Sequence, residues 1–199
     1  MSNARSRNFR AFTLIEMMVA VSIFAIVMLI GVGALLALVQ ANARAEAINS
    51  VMNNLNAALE NMSRSIRVGN TYYCDTTASP VPSPATLSSA QDCDTGGGVL
   101  LAFESATGDP NNDNDQIVYR LNGTQLERSL TSGSSGSFVA ITAPEVSIDT
   151  FDFYVTGTTR GDAIQPRVLM RIQGSAKLPG GTTTNFTVQA SVTQRILDI

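Results

Sequence analysis

The 199 residues carry 13 Lys and Arg against 16 Asp and Glu, a formal charge of −3, with no histidine and two cysteines. This length accommodates one membrane-anchored helix and one domain of roughly 130 residues. Without histidine the chain lacks the commonest general base and metal ligand, which tells against enzyme classes. The acidic balance tells against broad nucleic-acid binding, which draws on basic surface.

The N-terminus begins with a short basic leader holding Arg5, Arg7 and Arg10 and no acid. Phe12–Val39 follows, 28 residues in which Glu16 is the only charge. Roughly 20 apolar residues cross a bilayer as a helix, so this run is long enough. Basic residues before it place the N-terminus in the cytoplasm and the remainder outside. Glu16 is the odd residue, because a carboxylate in an apolar span costs about 2.5–3.5 kcal/mol unless it snorkels to the headgroups or finds a partner.

The stretch Ala11-Phe12-Thr13-Leu14-Ile15-Glu16 resembles the class III signal of type IV pilins and type II secretion pseudopilins. The resemblance covers residues 1–40 and implies cleavage by a prepilin peptidase between Ala11 and Phe12, followed by N-methylation of Phe12. It further implies that Glu16 pairs with the N-terminus of a neighbouring subunit during filament assembly, a cheaper arrangement in hydrocarbon than either charge alone. The family usually has Gly before the cut, where this chain has Ala11. Loss of the three leader arginines leaves 10 basic and 16 acidic side chains, a formal −6. Ordinary signal-peptidase cleavage after Ala41-Asn42-Ala43 competes with this reading, but the apolar stretch is about twice the length of a secretory h-region.

Beyond the span, Ala41, Ala45, Ile48, Met52, Leu55, Leu59, Met62 and Ile66 recur at alternating spacings of about four and three, one apolar stripe along a helix. The spacing predicts a helix over Phe12–Val68, with residues 12–39 in the membrane and 40–69 as its amphipathic continuation. Gly69 after Arg64 and Arg67 is its stop signal. A two-stranded coiled coil is the competing account of the stripe. The resemblance to pilins favours docking beneath the domain that follows.

Residues 70–98 hold Cys74, Cys93, three prolines and the run Gly96-Gly97-Gly98. They read as an irregular surface loop with little regular structure. Both cysteines fall on the exported side, where a disulfide persists. A bridge between them closes a loop of about 20 residues and contributes on the order of 3 kcal/mol. Two free thiols are the alternative, and a zinc site lacks further ligands.

From Val99 the period becomes two, and residues 99–199 are expected to form an antiparallel β domain. Strands are expected at Val99–Glu104, Gln116–Leu121, Thr124–Leu130, Ser137–Thr142, Ser147–Thr156, around Val168–Ile172, and at Asn185–Ile196, with Asn122-Gly123 as a hairpin turn. Six or seven strands with one packed face, covered by the helix stripe, make an α+β pilin-like fold: one long N-terminal helix on an antiparallel sheet. Val118-Tyr119-Arg120-Leu121, Phe151-Asp152-Phe153-Tyr154 and Gln194-Arg195 are similar to stretches of J-type minor pseudopilins, which favours a minor subunit over a major one.

One candidate for chemistry stands in Gly-Asp-Pro-Asn-Asn-Asp-Asn-Asp. Asp109, Asn111, Asp113 and Asp115 are spaced by two, like the first half of a calcium loop, although Arg120 stands where a bidentate Glu belongs. The plainer account is a solvated turn before a strand, and no cofactor is otherwise expected. No nucleophile–base pair can be built.

The resemblance implies other pilin or pseudopilin subunits, a prepilin peptidase and an inner-membrane assembly platform as partners. The protein is then expected in the inner membrane, single-pass, with its C-terminal domain outside. A DNA-uptake or adhesive tip pilin and a signal-anchored exported domain that never polymerises are the rivals.

Overall fold

The computed structural model describes residues 12–76, 90–93, 95–109, 112, 114–134, 136–162, 164–177, 181 and 183–195. It divides into two compact units, Met1–Ala45 and Glu46–Ile199. Helix α1 spans Leu14–Val68, and eight strands follow. They are β1 (Asn70–Asp75), β2 (Leu100–Glu104), β3 (Ile117–Asn122), β4 (Gln125–Ser129), β5 (Val139–Ala140), β6 (Val146–Thr156), β7 (Arg167–Lys177) and β8 (Thr183–Thr193).

In the first unit, every residue from Phe12 to Asn42 is exposed. Phe24 is 60% exposed and Leu29 75%, so nothing among the described residues covers this apolar surface. The helix is long and apolar enough to cross a membrane, with a mean hydropathy of 2.8 over its best 18-residue window.

In the second unit, the helix buries Val51, Leu55, Ala58, Leu59, Met62 and Ile66. The expected stripe therefore holds at Leu55, Leu59, Met62 and Ile66. It fails towards its beginning: Ala41, Ala45 and Ile48 are exposed and Met52 is half-buried. Full burial begins at Val51, with Ala47 half-buried before it.

The sheet is two sheets. The first has five strands in the order β1-β2-β3-β4-β5, the second three in the order β6-β7-β8, and every paired neighbour is antiparallel. One core cluster joins them, running from Leu55, Met62 and Ile66 through Phe103 and Tyr119 to Phe151, Phe153 and Met170. Ring centroids lie 5.8 Å apart for Tyr72–Phe103, 6.0 Å for Phe103–Tyr119 and 4.4 Å for Phe151–Phe153, within aromatic pairing range.

The alternation read in the late strands is present. Phe151, Phe153 and Val155 of β6 and Val168, Met170 and Ile172 of β7 are buried between more exposed neighbours. Strand β8, one edge of its sheet, alternates more shallowly, with only Val192 fully buried. Strand β2 breaks the alternation and is buried throughout. Its second face is covered by a small cluster of Leu100, Ala102 and Val118 under Tyr73 and Phe138. Arg120 lies over Phe138, 3.5 Å from the ring centre, and pairs with Glu127 at 2.9 Å.

Three expectations need correcting. Segment 70–98 is not all irregular: it begins with β1, which pairs with β2 and supplies buried Tyr72 and Cys74. Its apolar residues are too few for a period-two signal, so its strand character comes from the neighbour. The expected strand Ser137–Thr142 contracts to Val139–Ala140, paired to β4 at two positions only. The hairpin turn slips by one residue: Asn122 pairs with Gln125, leaving Gly123-Thr124 as the loop, with Gly123 at φ 60°. A positive φ at only the first loop residue is the II′ arrangement, which matches the twist of the flanking strands.

Candidate functional site

Helix α1 starts at Leu14, so Thr13 is its N-cap residue and Glu16 the third helical position. The Glu16 amide donates to Thr13 Oγ1 at 3.4 Å, and the Met17 amide to the Thr13 carbonyl at 3.3 Å. Thr-x-x-Glu is the capping-box spacing, in which the threonine hydroxyl satisfies an amide left over at the helix start. Glu16 thus stands in the first turn, where the helix dipole favours a negative charge. That Thr-x-x-Glu spacing was legible in the residues, although the apolar run around it draws attention elsewhere. Phe12 is 74% exposed. Ala11, the other half of the expected processing site, lies outside the described residues.

The second unit supports itself through the disulfide loop. Cys74 and Cys93 are bonded, with their Cα atoms 5.8 Å apart, and both are buried. Gln91–Cys93 lies between the two sheets. The Gln91 amide donates to the Tyr72 carbonyl at 3.0 Å and the Cys74 amide to the Gln91 carbonyl at 3.1 Å. On the other side the Cys93 amide donates to the Val155 carbonyl at 3.0 Å. The Asp92 carboxylate accepts the amides of Gly157 and Thr158 at 3.1 and 3.0 Å. This carboxylate closes the end of β6, and nothing in the local pattern pointed to it.

Gly98 is a point of close approach to the disulfide. A Cβ on it would run into Cys74 Sγ and lie 2.7 Å from the Asp75 carbonyl. Only glycine lets the chain pass over the bridge. Gly69, read as a helix stop, is likewise a close approach, since a Cβ there would enter the Phe103 ring. The helix end is held by the Tyr72 hydroxyl, 2.6 Å from the Ile66 carbonyl. The Arg195 amide also donates to the Arg67 carbonyl at 2.8 Å. In the last third of the helix, Asn54 Oδ1 accepts the Ala143 amide at 2.9 Å and Asn61 Oδ1 accepts from Arg128 at 3.0 Å.

Of the four loop residues spaced by two, Asn111 and Asp113 lie outside the described residues. Asp109 and Asp115 are brought together, the Asp109 amide donating to Asp115 Oδ2 at 2.9 Å. Among the described residues, no three His, Cys, Asp or Glu side chains cluster closely enough to hold a metal. The spacing overlooked Glu104, at the end of β2, which is 6% exposed. Burial first, and then the neighbouring Asp115 charge, push its pKa above the ordinary 4.5.

Residues 6–32 match the family model described as the prokaryotic N-terminal methylation motif. No curated protein and no solved structure is matched by the chain. The motif sits on an uncovered apolar helix, and the same helix continues into a two-sheet antiparallel domain. Residues 6–32 thus carry a prepilin-type N-terminal methylation motif, on a chain whose long helix and antiparallel sheets form a pilin-like α+β fold.

Proposed function

We propose that this chain is a structural subunit, of the minor class, in a type IV pilus or type II secretion pseudopilus. The observation that carries the reading is the methylation motif of residues 6–32 at the head of an apolar helix that no described residue covers. A prepilin peptidase cuts between Ala11 and Phe12, and the new Phe12 amine is methylated. The Phe12–Val39 segment holds the subunit in the inner membrane with the β domain outside. An assembly platform in that membrane then draws it into the filament.

Glu16 takes the methylated amine of a neighbouring subunit. Two opposite charges in hydrocarbon stabilise each other far more than at a surface. The role is positional and needs no catalytic group. The similarity of Val118–Leu121 and Phe151–Tyr154 to J-type pseudopilins supports the minor class, in which the subunit primes assembly or caps the filament.

Intact mass and N-terminal sequencing of the protein from membranes, with and without a prepilin peptidase, test the reading. A methylated chain starting at Phe12 only when the peptidase is present is expected. A chain starting at Arg44 would assign ordinary secretion, and an uncut chain in both a signal-anchored domain. Either result would overturn the proposal.

A further inference from the structure

We infer that the outer edge of β8 is a docking site for a β-strand of another protein, one whose face towards the core is apolar and uncharged. The sheets end in β1 and β5 and in β6 and β8. The outer side of β1 is taken by Gln91, which bonds the Tyr72 carbonyl at 3.0 Å and the Cys74 amide at 3.1 Å. Strand β5 is two residues long. The outer side of β6 exchanges two bonds of 2.7 Å with Gly98 at Phe153. It also takes the Cys93 amide on the Val155 carbonyl at 3.0 Å and gives the Ile148 amide to the Thr124 carbonyl at 2.9 Å.

Strand β8 has no such closure. Among the described residues, no backbone hydrogen bond reaches its outer edge. Its 11 residues hold no charge and no proline. Its pairing with β7 runs from Arg167 opposite Thr193 to Lys177 opposite Thr183 without a bulge. Folds keep foreign strands off their edges with short strands, charges, prolines, bulges or a covering segment. On β8 each of these is missing among the described residues, whereas β7 beside it carries Arg167, Arg171 and Lys177.

The side chains define what fits. Phe186, Val188 and Ala190 pack against the core yet stay half-buried. Phe186 lies over Gly174, where a Cβ would come within 2.8 Å of its ring. Thr187, Gln189 and Ser191 alternate with them on the exposed face. Water can serve the free amides and carbonyls of the edge, but it leaves the flank of the apolar row uncovered. A helix laid there would cover the row and leave the amides unbonded inside the contact. A strand does both, because its backbone continues the ladder and its inward side chains extend the row. A charge on that inward face would be buried beside Val188, and β8 offers none to pair with it.

The probe is a short peptide of alternating threonine and valine, flanked by lysines and N-methylated on alternate residues so that one bonding edge remains. Fluorescence anisotropy with the full chain in detergent micelles should show saturable binding, absent for the same peptide N-methylated throughout. Hydrogen exchange locates the contact: alternate amides of β8 should slow at least about tenfold, with those of β1 and β6 unchanged. Val188→Lys, whose ammonium leaves past the edge, should weaken binding at least about tenfold. Its thermal midpoint is read alongside, and if the variant unfolds, the exchange map of the parent chain decides. No saturable binding, equal binding of the blocked peptide, or slowing at another edge would overturn the site. Full binding by a folded Val188→Lys chain would do the same. A chain that pairs with itself through β8 without peptide would also overturn it, assigning the edge to a second copy.

Discussion

Gly98 and Phe153 exchange two backbone hydrogen bonds of 2.7 Å each, the Gly98 amide to the Phe153 carbonyl and the reverse. This single bridge lies outside both sheets' ladders and sits beside the Cys74–Cys93 bond. Sheet, sheet and disulfide therefore meet at a residue that can carry no side chain. Gly98→Ala should lower the stability of the domain by about 1–3 kcal/mol, the usual range for overpacking. Urea unfolding of the full chain in micelles measures it. An unchanged midpoint would mean that the loop shifts at no cost.

The bridge closes a sequence separation of 19 residues, for which loop closure contributes about 3 kcal/mol. Reduction, or Cys74→Ser with Cys93→Ser, should lower the midpoint accordingly and loosen Gln91–Cys93 from both sheets. Hydrogen exchange at the Cys93 and Gly98 amides should rise more than at β7.

Met62 is fully buried on the helix, within the core cluster that joins the two sheets. Met62→Ala should cost about 2–5 kcal/mol, whereas exposed Ile48 replaced by Ala should cost less than about 0.5 kcal/mol. Equal effects would contradict a helix docked only from Val51 onward.

Thr13 and Glu16 can be separated by mutation. Thr13→Ala removes the cap and should weaken the helix start by about 1 kcal/mol, with filament incorporation retained. Glu16→Ala leaves the Thr13 hydroxyl and the backbone amide of position 16 in place, and should abolish incorporation while membrane insertion stays intact. Counting subunits in sheared filaments against those in membranes distinguishes the two. Normal filaments from Glu16→Ala would remove the assembly role.

The Glu104 pKa lies above 4.5, raised by burial and then by Asp115, with Asp109 adding to it and the Gln116 side chain and Ser105 amide opposing it. A carboxylate whose folded pKa is raised binds its proton more tightly in the fold. Its contribution to stability therefore falls as pH rises through the unfolded and then the folded value. At neutral pH, Glu104→Gln should be more stable than the parent chain. The difference should shrink as pH falls through the folded pKa towards 4.5. Thermal unfolding across that range reads it directly, and a gap independent of pH would mean that the ionised carboxylate is not the source.

The processing motif, the apolar span and the late strands were all legible along the chain, because each is a local pattern. Charge placement marks the span, and a period of two at Phe151, Phe153 and Val155 marks a strand wherever it packs. The helix stripe was legible in phase but not in extent: Ala41, Ala45 and Ile48 continue it, and only tertiary contact decides that burial begins at Val51. Strand β1, the division into two sheets, and the meeting of Gly98 with the disulfide depend on partners far along the chain, so no local period announces them. The same holds for Glu104. Spacing singled out the acidic loop at Asp109 and Asp115, but the carboxylate that faces them lies at the end of another strand. Residue types and their order thus determined which segments form and what the N-terminus carries. The long-range packing that buries Glu104 beside Asp115, and passes Gly98 over the bridge, was decided by the tertiary structure, because burial and charge proximity are properties of the folded chain.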